Sequence, residues 1–297
     1  MNINWYPGHM LKTKRQISED LKLIDVVIEL LDARIPLASQ NPDVAEMIKN
    51  KNHIIVLNKS DLAEDSKTNT WKEYFKKSGK SAVVVDSNAG KGIKDVLAEV
   101  QKIMGADLEK AEIKGIVKKR IRLMILGIPN VGKSSFINRM CNKKSAIVGN
   151  KPGVTKQKQW VKVSENIELL DTPGVLWPRF EDKEVSLRLA YVGTIKDDVL
   201  IKVDVAHSLL KYLFENYKNK VLERYKVTEE ELTEMVEHDR EIEYEVDEIY
   251  CLMKLISKKR GALLSGGYFD EEKVAGIILN EFRSGTIGRI TLERPDI

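Results

Sequence analysis

Apolar residues along positions 1–178 follow two alternating patterns. Short runs rich in leucine and β-branched residues are typical of strands in a sheet that is covered on both faces. We predict six such strands, at Val26–Leu31, His53–Leu57, Ala82–Val85, Ile121–Leu126, Trp160–Val163 and Ile167–Leu170. Between them apolar residues recur at helical spacing, as in Ile93, Val96, Leu97 and Val100. This alternation predicts an α/β domain with a mostly parallel sheet and helices on both faces.

The pattern changes after Pro178, where strand-like runs give way to helical spacing. One apolar stripe comprises Val205, Leu209, Leu210, Leu213, Phe214 and Tyr217. Thr228 and Glu231 have the spacing of a capping box, and Asp270 precedes two glutamates that suit the first turn of a helix. We therefore predict that the α/β domain covers residues 1–178 and that an all-α domain covers residues 179–297.

Composition excludes several classes of protein. The chain has 297 residues, of which 42% are hydrophobic and 32% are charged, and this length can bury a core in each of two domains. No run approaches the roughly 20 apolar residues of a membrane-spanning helix, and the first residues lack a secretory pattern. Cys141 and Cys251 have no CxxC partner, which argues against a disulfide framework or a cysteine zinc site. We expect a cytoplasmic protein with no membrane contact.

Charge is unevenly distributed along the chain. Residues 223–248 carry twelve acidic and three basic side chains, so a charge of +13 remains on the rest of a chain whose net charge is +4. Basic residues cluster at Lys12–Arg15, Lys118–Arg122, Lys143–Lys144, Lys151–Lys162 and Lys258–Arg260. One such cluster is usually only a solvated face, but several together favour a polyanionic partner.

The segment Gly127–Ser134 has the sequence GIPNVGKS, which is the GxxxxGK[ST] pattern of a P-loop. It follows a predicted strand and opens a predicted helix, as the motif requires, which disfavours a mere glycine turn. Its glycines let backbone N–H groups surround phosphate oxygens, and the helix N-terminus adds partial positive charge. Lys133 can reach the outer phosphates, and the Ser134 hydroxyl can ligate Mg²⁺.

Two further segments are candidates for sensing the γ-phosphate. Asp171-Thr172-Pro173-Gly174 ends a predicted strand, so Asp171 can hold Mg²⁺ through water and the Gly174 N–H can meet the γ-phosphate. Thr155 lies in the preceding loop and can complete the Mg²⁺ shell while that phosphate is present. Either segment alone is a weak signal, and both assignments depend on the presence of the P-loop.

Asn58-Lys59-Ser60-Asp61 and Ser87-Asn88-Ala89-Gly90 each follow a predicted strand. NKxD selects guanine, because the Asp61 carboxylate can accept from N1–H and the exocyclic amine while the Lys59 stem covers the base. The Ala89 N–H can donate to guanine O6. Either tetrad alone could be a strand-to-helix turn, but together with the P-loop they predict a guanine-nucleotide site.

The motif order is unusual. The guanine motifs come first, at residues 58 and 87, and the P-loop follows at residue 127, whereas an ordinary small GTPase begins with the P-loop. Because domain termini lie close together at the surface, the same sheet can form after the original ends are joined and new ends are opened. We expect the charged, glycine-punctuated segment Gly105–Lys119 to be the linker that joins the two halves.

These features resemble the circularly permuted GTPases, and in particular the ribosome biogenesis GTPase A (YlqF) family. The resemblance also rests on Trp5–Met10, Asp32–Pro36 and the closing segment from Phe282 to Glu293, and it covers essentially the whole chain. Permuted GTPases with a zinc module or an N-terminal OB barrel match less well, because this chain lacks the cysteines and strands they need. The motifs and the resemblance predict a GTP-binding set: Asn58, Lys59, Asp61, Ser87, Asn88, Ala89, Asn130, Val131, Gly132, Lys133, Ser134, Ser135, Thr155 and Gly174.

The resemblance also implies hydrolysis of GTP during late assembly of the large ribosomal subunit. Val175 stands where Ras-like enzymes have a water-orienting glutamine, so we predict that His9 orients the water and acts with Lys133, Thr155 and Gly174. The alternatives are that His9 caps the following helix or touches RNA. Asn130 stands where similar GTPases bind K⁺, although Arg34 is another candidate for the cation.

The resemblance further implies that the helical domain contacts ribosomal RNA. We predict RNA contacts at Lys258, Lys259, Arg260, Arg283 and Arg289, and a protein that is monomeric off the ribosome. Two alternatives remain at this point: a GTP-gated RNA-binding scaffold with little hydrolysis of its own, and an ordinary P-loop ATPase or kinase, which the NKSD sequence disfavours.

Overall fold

A computed structural model describes residues 10–115, 119–141, 160–170, 182–240 and 246–295. The chain divides into two compact units, one formed by Met1–Val185 with Ile290–Ile297 and the other by Ser186–Arg289. We call them the nucleotide unit and the helical unit. Residues 290–295 therefore belong with the nucleotide unit, which differs from the expected single helical domain over 179–297. The reason is that backbone groups of this segment pair with loops of the nucleotide unit.

The nucleotide unit contains one six-stranded sheet. Its strands are β1 Val26–Asp32, β2 Asn52–Asn58, β3 Ser81–Val84, β4 Ile121–Gly127, β5 Trp160–Lys162 and β6 Ile167–Leu170. The strand order is β3-β2-β1-β4-β6-β5, and all neighbours are parallel except β5 and β6. The six predicted strands and the mostly parallel sheet are confirmed.

Five α-helices of this unit lie within the described residues: α1 Met10–Asp20, α2 Pro42–Ile48, α3 Asp65–Lys77, α4 Ile93–Ile113 and α5 Lys133–Met140. All seven residues of β1 are buried, so both faces of the sheet are covered there. The expectation that Gly105–Lys119 is a linker is wrong over its first part, because α4 continues to Ile113. Met104 and Ala111 are buried on this helix, and a single glycine costs only about 1 kcal/mol relative to alanine.

The helical unit is built mainly from α6 Lys183–Tyr191, whose first residues lie in the nucleotide unit, and from α7 Lys202–Tyr225, α8 Glu229–Arg240, α9 Glu248–Arg260 and α10 Glu271–Arg283. The predicted stripe lies on the buried side of α7, except that Phe214 is only partly buried. The capping box is confirmed, since Thr228 Oγ1 accepts from Glu231 N at 3.1 Å and Glu231 Oε2 accepts from Thr228 N at 3.0 Å. Asp270 caps α10 through Lys273 N at 3.0 Å. No described helix is long and apolar enough to cross a membrane.

Candidate nucleotide site

Three loops meet at the carboxyl edge of the sheet, after β2, β3 and β4, and Asn58 joins them. Asn58 ends β2, and its side-chain Nδ2 donates to the Val131 carbonyl at 2.8 Å. Its Oδ1 accepts from the backbone N of Ser87 at 3.2 Å and from the Ser87 hydroxyl at 2.7 Å. An asparagine amide can do this because it both donates and accepts. The structure thus brings together the NKSD, SNAG and P-loop residues as predicted.

The P-loop backbone requires glycine at two positions. Gly132 has φ +94°, and a Cβ there would lie 2.5 Å from Asn58 Nδ2. A Cβ on Gly127 would lie 2.7 Å from the Leu30 carbonyl oxygen. Neither position has room for a side chain, because a Cβ would collide with the neighbouring atom. Helix α5 begins directly after Gly132, at Lys133. The predicted motif therefore adopts the strand, loop and helix arrangement that exposes N–H groups at a helix N-terminus.

The side chains of the P-loop differ in accessibility. Lys133 Nζ is buried, whereas Ser134 and Ser135 are exposed in the first turn of α5. Asn130 adopts a left-handed conformation, with φ +61°, which asparagine tolerates better than most residues. Exposed hydroxyls beside a glycine-lined backbone are suited to phosphate and its counter-ion.

A buried ion cluster lies beneath the NKSD loop. Lys59 Nζ is 3.1 Å from Asp32 Oδ2, and Arg34 donates to both oxygens of Asp32, from Nε at 2.9 Å and from Nη2 at 2.8 Å. Burial opposes ionisation of Asp32, but the charges of Arg34 and Lys59 outweigh it and hold the pKa of Asp32 well below its ordinary value. The arginine of the DARIP segment is therefore paired with a carboxylate, and its guanidinium lies in the interior of the fold.

Asp61, the predicted guanine acceptor, is exposed at the end of the NKSD loop. Partial desolvation and repulsion from the Asp86 carboxylate raise its pKa above the ordinary value. Asp86 Oδ1 also accepts from the backbone N of Asn88 and of Ala89, at 2.9 Å each. The Ala89 N–H that we expect to meet guanine O6 is therefore already used within its own loop.

Arg139 was not identified from the sequence, yet it contacts the same loop. It extends from α5, and its Nε donates to the Ser87 carbonyl at 3.1 Å while Nη2 donates to the Asn88 carbonyl. The helix that begins with the P-loop thus also holds the SNAG loop. Nothing in the sequence distinguishes Arg139 from other arginines, whereas Asp86 could have been noticed because it directly precedes Ser87.

The described residues do not include every predicted site residue. His9, Thr155, Asp171 and Gly174 lie outside them. Their predicted roles in hydrolysis and Mg²⁺ binding therefore remain predictions.

The predicted RNA-contacting residues lie in the helical unit and fall into two groups. Lys258, Lys259 and Arg289 are exposed, with Lys259 Nζ 2.5 Å from Glu231 Oε1. Arg260 Nη2 donates to the Arg224 carbonyl at 3.0 Å, and its guanidinium lies 5.4 Å from the centre of the Tyr225 ring.

Arg283 forms an internal junction of the helical unit. Its Nη1 and Nη2 donate to the two oxygens of Asp197 at 2.9 and 2.8 Å. Its Nε and Nη2 also donate to the carbonyls of Tyr191 and Ala190, at 3.0 and 2.9 Å. These four bonds orient the guanidinium toward the segment after α6.

The fold and the site define a class of protein. A mostly parallel sheet carries, at its carboxyl edge and in chain order, the NKSD loop, the SNAG loop and then the P-loop. This is the arrangement of a circularly permuted P-loop GTPase.

Comparisons with known proteins agree with that class. The family model described as a 50S ribosome-binding GTPase matches residues 122–246. Ribosome biogenesis GTPase A of Bacillus cereus is 44% identical over 296 residues, which cover 100% of this chain and 95% of the relative. The solved GNP-bound YlqF of Thermotoga maritima superposes with a TM-score of 0.63 at 26% identity, covering 96% of this chain and 99% of that one. A GDP-bound structure of TM YlqF gives a TM-score of 0.65 at 25% identity, covering 95% and 100%. The chain belongs to the ribosome biogenesis GTPase A (YlqF) family and is a GTPase.

Proposed function

We propose that this GTPase is a switch in late assembly of the large ribosomal subunit, which binds ribosomal RNA of a subunit precursor in the GTP state and leaves after hydrolysis. The observation that carries the nucleotide part is the Asn58 junction, because it holds the guanine loop, the SNAG loop and the P-loop at one edge. The ribosomal part is supported by the names of the relatives and by the family model, which is described as a 50S ribosome-binding GTPase. A role in assembly of the ribosomal subunit also implies a cytoplasmic location.

The donor set of the P-loop fits Mg²⁺. The exposed Ser134 hydroxyl is a hard oxygen ligand at the start of α5, beside glycines whose positions leave no room for a Cβ. We assign Mg²⁺ binding to Ser134, Thr155 and Asp171. When bound, the ion neutralises phosphate charge, while Lys133 adds a second cation to the same phosphates.

A monovalent cation is assigned to Asn130. Its side-chain oxygen belongs to a residue with a left-handed backbone in the middle of the P-loop. K⁺ held there would add positive charge between the phosphates. Arg34 is a poor alternative, since its guanidinium is 1% exposed and both oxygens of Asp32 bind it.

His9 is assigned to the attacking water, with Thr155 and the Gly174 N–H responding to the γ-phosphate. This assignment rests on Val175, which cannot hydrogen-bond water. An imidazole can accept a proton or orient a water molecule near neutral pH.

We assign the binding of ribosomal RNA to the helical unit. The exposed Lys258, Lys259 and Arg289 are suited to phosphate contacts. Arg260 and Arg283 would act mainly by shaping that surface, because their guanidinium groups bind carbonyls and carboxylates within the unit.

Co-sedimentation with large-subunit particles tests the switch. We expect association with a non-hydrolysable GTP analogue and weaker association with GDP, and the subunit must then tighten GTP over GDP by the same factor. Reversing the charges of Lys258 and Lys259 should weaken association and flatten its salt dependence, because fewer counterions are released. The matched control reverses Lys72 and Lys77, two exposed lysines of α3. Equal association in both nucleotide states would contradict the switch.

Val175 favours one second candidate, a GTP-gated RNA-binding scaffold that scarcely hydrolyses GTP. Single-turnover hydrolysis with and without large subunits separates the two. Hydrolysis that remains negligible with subunits would favour the scaffold.

A further inference from the structure

Residues 290–294, which we call the 290–294 strap, run along the part of the nucleotide unit that carries the NKSD loop. Ile290 N donates to the Leu62 carbonyl at 3.0 Å, directly after the NKSD loop. Thr291 Oγ1 accepts from Glu64 N at 3.0 Å. Leu292 N donates to the Arg34 carbonyl at 2.8 Å. The strap therefore binds both the segment that follows Asp61 and the residue that pairs with Asp32.

Glu293 anchors the strap. Its side chain is 4% exposed, yet its carboxylate accepts from Leu37 N at 2.6 Å and from Ala38 N at 3.0 Å. Its backbone carbonyl accepts from Trp71 Nε1 at 3.3 Å. A buried carboxylate that accepts two backbone N–H bonds is strongly held, because charge-assisted bonds are stronger than neutral ones. The anchor fixes the turn that begins at Arg34.

A continuous chain of contacts leads from this anchor to the base-recognition loop. Arg34 is 1% exposed, with its carbonyl bound by the strap and its guanidinium bound to Asp32. Asp32 in turn holds Lys59 Nζ at 3.1 Å. Lys59 has φ +58°, a strained conformation for a non-glycine residue, which persists only when its surroundings impose it.

We propose that the 290–294 strap and the buried pair of Asp32 and Arg34 are positioning elements for guanine recognition. The strap orients Asp61 through Leu62 and Glu64, and Asp32 extends the Lys59 stem over the base. This inference rests on the proposed contacts of Asp61 and Lys59 with guanine. It assigns a nucleotide-binding role to a segment far from the nucleotide motifs in sequence, which directly follows the last residue of the helical unit.

Inosine diphosphate reports on Asp61, because it lacks the exocyclic amine, one of the two groups from which Asp61 accepts, but keeps N1–H and the same phosphates. Removing a hydrogen bond to a charged group typically lowers affinity about tenfold or more. In Glu293→Gln and Thr291→Val we expect GDP affinity to fall about tenfold. Affinity for inosine diphosphate should fall by a smaller factor, since only its N1–H contact with Asp61 is disturbed. The turnover number at saturating GTP should stay within about twofold, since phosphate contacts are unchanged.

Asp32→Asn tests the proposal that Asp32 positions the Lys59 side chain over the base. The Lys59 stem would cover either base, so GDP and inosine diphosphate should lose affinity together, again with the turnover number retained. The matched control is Arg294→Gln, an exposed residue of the same strap, which should change neither affinity. Thermal unfolding of each variant checks that the protein is folded.

The outcomes are distinct. Unchanged GDP affinity in the folded Glu293→Gln and Thr291→Val variants would overturn the inference. An equal loss of GDP affinity and inosine diphosphate affinity, accompanied by a loss of turnover, would also overturn it, because this indicates a purely structural role. A wild-type protein with no preference for GDP over inosine diphosphate would instead overturn the assignment of Asp61 to guanine.

Discussion

The side-chain amide of Asn58 donates to the Val131 carbonyl at 2.8 Å, and the two residues are 73 positions apart in the chain. Asn58 thereby connects the NKSD loop, to which we assign base recognition, with the P-loop. We therefore expect base and phosphate recognition to depend on each other.

Asn58→Ala should weaken both loops at once. Val131 and Ser87 would each lose a buried partner, so we expect the free energy of unfolding to fall by about 1–3 kcal/mol and GTP affinity to fall with it. Chemical denaturation and nucleotide titration measure the two effects. Asn52→Ala is the control, since Asn52 is exposed at the opposite end of the same strand. Normal GTP affinity in Asn58→Ala would show that the junction is dispensable.

Asp61→Asn should shift nucleotide preference from guanine to xanthine, because one acceptor becomes a donor. The pKa of Asp61 is raised in the folded protein, so its ionised form opposes folding near neutral pH. We therefore expect no loss of thermal stability in the nucleotide-free variant. Retained GTP affinity would remove the base-recognition role of Asp61.

The same raised pKa predicts a pH dependence of binding. We assign guanine recognition to the ionised Asp61 carboxylate, so we expect GDP affinity to fall as the pH drops through the raised pKa of Asp61. Asp86→Asn removes the repulsion that contributes to this pKa and should move the fall to lower pH. Titrations of GDP affinity against pH in the two proteins test this, and identical profiles would refute it.

His9→Ala should leave GTP affinity nearly intact and lower ribosome-stimulated hydrolysis about 10²- to 10⁴-fold, which is typical of a positioned acid–base group. His238→Ala is a suitable control, because His238 is exposed on α8 of the helical unit. If hydrolysis by His9→Ala is unimpaired, the water is oriented by another group and His9 caps a helix or touches RNA.

Hydrolysis should be faster in K⁺ than in Na⁺ at equal ionic strength if Asn130 holds the ion. Asn130→Gly should abolish the difference, and glycine tolerates the positive φ at this position. The comparison is made by steady-state turnover in the two salts. Equal rates for the unmodified protein would count against the assignment.

Arg283→Ala should destabilise the helical unit, since four hydrogen bonds of its guanidinium are lost. We expect unfolding free energy to fall by about 1–3 kcal/mol, whereas Arg289→Ala, at an exposed arginine, should have little effect. Hydrogen bonding from Arg283 lowers the pKa of Asp197 despite partial burial, so this contribution is present above the unfolded pKa and disappears as pH falls through the folded one. The Arg283→Ala deficit should accordingly shrink in acid.

Much of this protein could be predicted from local sequence. The strands are continuous apolar runs, and the caps at Thr228 and Asp270 satisfy backbone groups only three residues away, so neither depends on distant packing. The P-loop and NKSD are equally local, because short spacings set which atoms can surround a phosphate or a base. Their order along the chain was enough to indicate the permutation.

Tertiary structure alone decided which distant groups these motifs use. Asn58 could have contacted guanine only, but packing of β2 between β3 and β1, with β4 on the other side of β1, places it between the SNAG loop and the P-loop. By sequence alone Arg34 is a candidate catalytic cation, but in the fold its guanidinium is buried against Asp32, and breaking that pair would leave an uncompensated buried charge. The contacts of Glu293 span 255 and 256 residues, and no periodicity or spacing encodes them. Such partners depend on where the chain returns after the helical unit, which is determined by the packing of the whole fold.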